Sequence, residues 1–292
     1  MQASAIQYLA IADENAVVAA ASPEGTVQIW NWRTRQQLGE FKSIMDSGGR
    51  RLVLTLDGRI CIAGSWPCGL AAYSVPDGQV LWHKRDIREV QEVTLSASGR
   101  EVYCGVDSNS VHILATETGT PVGKVARAVT IISSPHDSRE MTVKEDKYLI
   151  QGGSELEIPA ASFALHTAAF SPESVCFSEP NAGSRCIDLL TGELLWHHKT
   201  IHFSHAAFNA SDKRFYCVTG FDTNPYEKSL VRLVVNFAEC ERVVKLGRRC
   251  WTEAFTPSGE FLVVARGDVY ETSSGTLLGH LDFPQREYPD SV

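Results

Sequence analysis

The chain has 292 residues, of which 43% are hydrophobic and 21% are charged, a composition typical of a folded globular protein. Its formal net charge of −8 does not support a nucleic-acid-binding role, whose usual signature is clustered basic charge. An acidic surface favours solubility and is compatible with a basic partner.

The N-terminal region is apolar over residues 5–21, but Asp13 and Glu14 interrupt it and no basic residue precedes it. This pattern matches neither a signal peptide nor a transmembrane helix. We therefore expect a cytoplasmic protein that does not associate with a membrane.

Eight cysteines occur without any C-x-x-C pair, which disfavours a zinc ribbon. Half of them fall in predicted second strands, one per repeat, where we expect small buried thiols. These four are Cys61, Cys104, Cys176 and Cys217.

A short sequence motif recurs along the chain with a period of about 40 residues. In it, an apolar residue is followed by a small polar residue, a turn and a run of β-forming residues. The apolar residues that begin the motif, named here the apolar leads, are Ile11, Leu54, Leu95, Ile132, Phe170, Phe208 and Phe255. Units of this length must share a core, so the repeat predicts one domain over residues 1–283. A polar tail is expected over residues 284–292.

Each unit divides into four short strands, named a to d, because apolar and polar residues alternate between clusters of turn residues. The predicted a strands are Ile6–Ile11, Arg51–Leu54, Glu92–Leu95, Val129–Ile132, Ala164–Phe170, Ala206–Phe208 and Glu253–Phe255. The fourth unit is the poorest copy, since charged residues interrupt its strands and Pro159 belongs at an outer edge or in a loop.

A second repeated element lies between strands c and d, where a turn residue precedes an apolar residue by three positions. Glycine at this position predicts a turn with positive φ. The glycines are Gly78, Gly119, Gly192 and Gly275. Arg35 and Cys240 take the position in units 1 and 6, so the turns there are expected to differ.

The dipeptides that close strand c resemble the Trp-Asp position of WD-repeat proteins. They are Trp30-Asn31, Tyr73-Ser74, Ile187-Asp188, Val235-Asn236 and Tyr270-Glu271. None is a literal Trp-Asp, and the family's Gly-His pair before strand a is missing, so its buried hydrogen-bond network is expected to be incomplete. Residues 77–82 and 191–196 also resemble quinoprotein-type propeller repeats.

Both resemblances imply an all-β fold, a seven-bladed β-propeller of four-stranded antiparallel blades whose fourth blade is degenerate. We expect the ring to close without strand exchange, by packing of blade seven against blade one. The resemblance also places the d–a and b–c connections on one face, and the a–b and c–d turns on the other.

Binding is expected on the face of the d–a and b–c connections, because loops on a rigid scaffold usually carry function. The irregular connections are Gly64–Gly69, His83–Glu89, Ser178–Ser184, His197–Ser204, Gly220–Ser229 and Gly247–Trp251. Aromatic and arginine side chains are the usual interface anchors. The candidate protein-binding residues are Trp66, Arg85, Arg88, Phe221, Tyr226, Arg248, Arg249 and Trp251. The alternative is that the rings pack on their own blades and the arginines are solvated.

Four histidines, His197, His198, His202 and His205, lie close together and raise the alternative of a metal- or cofactor-dependent enzyme. Successive side chains on a strand point to opposite faces, so His197 and His198 cannot easily converge. There is no G-x-S-x-G nucleophile motif, and no helix follows a glycine pair to form a phosphate loop.

The sequence therefore predicts a non-enzymatic module without a cofactor or metal, monomeric by itself, that binds another protein as a scaffold. A dedicated inhibitor, such as an immunity protein that blocks a toxin, is a second form of the same hypothesis. Partner identity stays open, and a small-ligand sensor that uses the central channel is a third hypothesis.

Overall fold

The computed structural model describes residues 6–44, 49–66, 68–107, 109–144, 147–152, 156–160, 167–179, 182–199, 201–221, 224–234, 239–248 and 252–284. These residues form seven four-stranded sheets, in each of which the strands lie side by side in chain order. All neighbouring strands pair antiparallel. The predicted all-β, seven-bladed propeller is confirmed. The predicted tail, 284–292, lies outside the described residues except for Pro284.

The strands are numbered β1 to β28 along the chain, four to a blade. Blades 1 to 3 contain Tyr8–Ala12, Val17–Ala21, Thr26–Asn31, Gln36–Lys42, Gly49–Leu54, Ile60–Ser65, Gly69–Ser74, Val80–Lys84, Val90–Leu95, Glu101–Val106, Ser110–Ala115 and Pro121–Ala126. Blades 4 and 5 contain Ala128–Ser133, Glu140–Lys144, Lys147–Gln151, Leu156–Pro159, Thr167–Phe170, Ser174–Glu179, Gly183–Asp188 and Leu194–His198. Blades 6 and 7 contain Phe203–Asn209, Arg214–Phe221, Asn224–Val234, Glu239–Arg248, Glu253–Phe255, Phe261–Val264, Asp268–Glu271 and Leu277–His280.

The small polar residue of the repeated motif stabilises the turn between strands a and b by a hydrogen bond. The Oγ1 atom of Thr55 accepts a hydrogen bond from the Ile60 amide at 3.0 Å. Thr256 Oγ1 does the same for the Phe261 amide at 3.1 Å. Both threonines are buried, so their hydroxyls replace water at a turn that would otherwise leave an amide unsatisfied. The motif therefore stabilises the a–b turns of blades 2 and 7.

The turn between strands c and d has the predicted positive φ at its glycine, for example +69° at Gly78 and +74° at Gly192. The expectation that Arg35 forms a different turn is wrong. Arg35 has φ +63°, and its amide donates to the Asn31 carbonyl at 2.8 Å, as the Gly78 amide does to Ser74 at 2.8 Å. The turn before Cys240 lies outside the described residues.

Packing at the blade junctions restricts residue size around these turns. A Cβ atom added at Gly78 would lie 2.2 Å from Phe41 Cγ, on the outer strand of the preceding blade. At the junction of blades 7 and 1, a Cβ atom at Gly279 on the outer strand would lie 2.7 Å from Arg35 Cδ. At the equivalent position of blade 1, a Cβ atom at Gly39 would lie 2.8 Å from the Pro76 carbonyl oxygen. Both junctions therefore need a small residue on the outer strand.

The fourth blade is a complete four-stranded sheet despite its irregular sequence. Met141, Val143, Tyr148 and Ile150 are buried in its inner strands. Pro159 ends the outermost strand, as expected for a residue that cannot donate to a sheet ladder. Its charged residues lie at strand ends and on the outer strand, so they leave the apolar pattern intact.

Buried apolar side chains form one cluster at each of the seven blade junctions. Among the described residues, blade 7 is built from β25 to β28 and β1 belongs to blade 1, as expected for closure without strand exchange. Across the closing junction the Trp32 and Phe261 rings lie 4.7 Å apart. The Ser258 amide donates to Asp13 Oδ2 at 2.6 Å. Packing and this hydrogen bond therefore join the two blades at the closing junction.

Candidate binding face

The antiparallel blades place all b–c turns and d–a connections at one end of the central channel, named here the loop face. The a–b and c–d turns lie at the other end, named the turn face. The a strands line the channel, which contains a cavity of about 360 Å³. The arrangement of connections that the resemblance implied is therefore present.

Trp66, Arg85 and Arg88 lie in neighbouring connections of the loop face. All three are exposed, Trp66 by 36% of its surface. The amide of Glu89 donates to the Trp66 carbonyl at 3.0 Å, which ties the b–c turn of blade 2 to the following d–a connection. Arg85 Nε approaches His83 Nδ1 at 3.4 Å. The structure thus brings these three predicted residues together on the loop face of blade 2.

The prediction of an irregular connection over Gly220–Ser229 is wrong, because strands b and c of blade 6 continue into this segment. β22 ends at Phe221 and β23 begins at Asn224, so Tyr226 is a strand residue. Arg248 also lies in a strand, β24, where it pairs with Glu227. Hydrogen-bonded pairing between the lengthened strands satisfies backbone groups that a loop would leave to water.

The predicted residues consequently separate into two groups. Phe221, Tyr226 and Arg248 belong to blade 6, which lies across the ring from blade 2. Arg249 and Trp251 lie outside the described residues, and so do the side chains of the three blade-6 residues. The structure does not unite all eight in one patch.

Sequence reasoning missed Glu253, whose fully buried carboxylate lies at the loop-face end of the channel. Lys228 Nζ donates to its two oxygens at 2.8 and 3.0 Å. His205 Nδ1 lies 3.3 Å from Oε1, and Ser204 Oγ donates to the same oxygen. Burial by itself raises the pKa of Glu253, but the hydrogen bonds and charges of His205 and Lys228 hold that pKa at about 2. The carboxylate is therefore ionised at neutral pH and joins blades 6 and 7.

A second charged pair lies at the same end, where Arg51 Nε donates to Glu92 Oε2 at 2.6 Å. Burial raises the pKa of Glu92, although the charges of Arg51 and His205 oppose that rise. Arg51, Glu92 and His205 each stand three positions before the apolar lead of their repeat. Charge at this position of an otherwise apolar strand is the signal that could have predicted a polar channel mouth.

The four histidines do not converge. His197 Nε2 contacts the Ala182 carbonyl at 3.0 Å, and His198 Nδ1 accepts from the Ile201 amide at 3.2 Å. His205 contacts Glu253, and the side chain of His202 is exposed. Within the described ranges, no group of three His, Cys, Asp or Glu side chains is arranged to hold a metal ion.

No family model matches the sequence, and no curated protein matches it. Among solved structures, U3-55K is similar with a TM-score of 0.67 and 12% identity, over 89% of this chain and 88% of that chain. The WD40 repeats of RRP9 give a TM-score of 0.68 and 12% identity, over 89% and 87%. The computationally designed Ika8 protein gives 0.63 and 19%, over 95% and 88%.

These likenesses concern the fold. Together with the blade topology they define the protein as a seven-bladed β-propeller of WD-repeat-like fold. Among the residues that the structure describes, no helix has the length and apolar character needed to cross a membrane.

Proposed function

We propose that the protein is a non-catalytic interaction module that binds another protein through its loop face. The observation that carries this proposal is the exposed Trp66 beside the connection that holds Arg85 and Arg88. Aromatic and arginine side chains are enriched among residues that dominate binding energy. Because a backbone hydrogen bond joins their connections, these anchors are positioned before a partner arrives, which lowers the entropy cost of binding.

The channel mouth supports a non-catalytic role. The charges of Glu253 and Lys228 are engaged with each other across a blade junction, as are those of Arg51 and Glu92. A general acid or base needs a pKa near the working pH, whereas Glu253 has a pKa of about 2. The Glu253–Lys228 pair is therefore better suited to holding blades 6 and 7 together than to transferring protons.

The fold is compatible with the same proposal, because a propeller can carry binding residues on its connections without being an enzyme. A rigid ring offers many connections on one face, and these vary without loss of the core. We further propose that the module acts in the cytoplasm, which fractionation of the source cells checks.

The test is quantitative affinity capture from source cells with the wild-type protein and a variant carrying Trp66→Ala, Arg85→Ala and Arg88→Ala. We expect the variant to lose at least about tenfold of the captured partner, since each anchor contributes about 1–2 kcal/mol. The matched control carries Arg59→Ala and Arg100→Ala on the turn face and should capture as the wild type does. Equal capture by wild type and loop-face variant would contradict the proposal.

The activity of the captured partner distinguishes an inhibitor from a scaffold. The partner's activity is measured with and without a saturating concentration of the propeller. Loss of that activity would identify an inhibitor, whereas unchanged activity in a larger assembly would identify a scaffold.

A further inference from the structure

The central channel contains a second candidate site, separate from the loop-face residues of blade 2. All seven a strands line its cavity of about 360 Å³. Ligand cavities of globular proteins are typically of this size, with a mostly apolar lining and a few polar groups. Half-buried apolar side chains reach the cavity from six blades, and they are Val53, Leu95, Ile132, Ala168, Ala207 and Phe255.

The polar side chains of the lining are engaged with the protein itself, with one exception. The Glu253 carboxylate is held by Lys228 and Ser204. His205 is the exception, because its side chain is 47% exposed and only its Nδ1 atom faces Glu253, at 3.3 Å. Within the described residues, His205 Nε2 has no hydrogen-bond partner. The hydroxyl groups that line the cavity each form a hydrogen bond with another protein group, and they belong to Thr94, Ser96, Ser133, Ser134 and Thr256.

The charges at the loop-face end of the cavity balance one another. Arg51 pairs with Glu92, and Lys228 pairs with Glu253. A charged ligand would therefore bring an unpaired charge into this end of the channel, which costs desolvation energy. Because Nδ1 of His205 faces an ionised carboxylate, that nitrogen carries the proton, and Nε2 of the neutral ring accepts a hydrogen bond. An uncharged hydroxyl group supplies the matching donor.

We propose that the channel binds an uncharged, largely apolar small molecule that carries a hydroxyl group at one end. The apolar body would contact the apolar lining, and the hydroxyl would donate to His205 Nε2. A cavity of about 150 Å³ accommodates benzene, so the larger cavity here accommodates roughly two fused aromatic rings. The a strands have a sheet neighbour on one side only, so backbone groups on their inner edges also suit a ligand with a polar end. The inference is independent of the loop-face proposal.

The test measures binding of 2-naphthol to the full-length protein at pH 8 by isothermal titration calorimetry. Two comparison ligands keep the fused rings. Quinoline has a nitrogen acceptor and no hydroxyl donor, and 2-naphthoate has a carboxylate in place of the hydroxyl. We expect a Kd of about 10–100 µM for 2-naphthol and at least about tenfold weaker binding of the other two. No binding of 2-naphthol at about 1 mM, or equal binding of all three ligands, would overturn the proposal.

Substitutions then locate the site. Ala207→Leu adds bulk to the cavity lining and should weaken 2-naphthol binding at least about tenfold. The control Ala126→Leu, at an exposed position of the outer strand of blade 3, should bind as the wild type does. Thermal melting checks that each variant is folded. Unchanged 2-naphthol binding by folded Ala207→Leu would refute the channel as the site.

His205→Phe tests the hydrogen bond separately from the cavity. It should reduce the preference for 2-naphthol over quinoline from at least about tenfold to about onefold, because only 2-naphthol donates to Nε2. A purely structural role of His205 would weaken both ligands alike and leave that preference unchanged. The matched control is His197→Phe, at an exposed position of the outer strand of blade 5. A preference that survives in His205→Phe would contradict the proposed role of His205.

Discussion

Glu253 carries a negative charge in a place where burial alone would remove it. Its folded pKa of about 2 lies below the ordinary 4.5, so its stabilising effect is complete above pH 4.5 and is lost as pH falls toward 2. Glu253→Gln removes this contribution and leaves the largely buried Lys228 without its counter-charge. We expect a loss of about 3 kcal/mol in the free energy of unfolding at pH 7.

Urea unfolding of both proteins at pH 7 and pH 3 measures this effect. The wild type should lose stability between these pH values, and Glu253→Gln should lose less. The control is Glu241→Gln, which breaks an exposed pair with Arg232 and should cost no more than about 0.5 kcal/mol. A Glu253→Gln cost as small as that of the control would show that the buried pair contributes nothing.

Buried cysteines give a second prediction at this scale. All four thiols predicted to be buried are fully buried, and burial raises the pKa of Cys61 and of Cys104 to about 12. Because the thiolate is the reactive form, these two should resist iodoacetamide at pH 8 in the folded protein and react fully in urea. Peptide mapping by mass spectrometry reads the labelling, with half-buried Cys68 as the reactive control. If Cys61 in the folded protein were labelled as fast as Cys68, the prediction would be contradicted.

The role of a residue could be predicted from the sequence where it depends on the pattern of a single strand. The cysteines follow from apolar alternation within a single repeat. Glu253 does not, because its partners Lys228 and His205 come from another blade, and only the closed ring brings them within 3.3 Å. Arg51 and Glu92 were missed for the same reason, since neither strand alone shows that its polar residue meets an opposite charge.

At the scale of elements, the turn between strands c and d makes glycine essential in some blades. Gly78→Ala places a Cβ atom 2.2 Å from Phe41 Cγ at a φ of +69°. We expect a loss of about 2–4 kcal/mol from the left-handed backbone and the overpacking together. Gly123→Ala, on an outer strand where a Cβ atom would lie 3.6 Å from Ile113 Cδ1, should change stability by no more than about 0.5 kcal/mol. Urea midpoints that fall equally for both variants would contradict this explanation.

Element boundaries were predicted well except where pairing extends beyond one repeat. Most strand bounds differ by one or two residues, since turn chemistry fixes them locally. The blade-6 hairpin is the exception, because three strands lengthen together and residues such as Tyr226 pair across distances that a repeat pattern does not encode. Arg35 is a second exception. It adopts the left-handed turn at φ +63° without a glycine, which the repeat pattern does not reveal.

For the whole molecule, periodicity predicted the ring but not the candidate binding residues. Seven repeats of one sequence motif must share a core, and the antiparallel blades then determine which connections lie on each face. The candidate binding residues lie in connections that do not repeat, so the period gives no information about them. Trp66 and Arg88 were selected by residue type alone.

Ring closure through blades 7 and 1 yields the last prediction. Phe283 is 3% exposed and packs edge-on against Trp30 with ring centroids 6.0 Å apart. Phe283→Ala should cost about 3–5 kcal/mol, because it empties the junction that no exchanged strand reinforces. Since every blade depends on its neighbours, urea unfolding should remain one transition with a lower midpoint. Leu278→Ala, at an exposed position of the same blade, should cost no more than about 0.5 kcal/mol. A separate early transition in Phe283→Ala would mean that the closing junction opens without unfolding the ring.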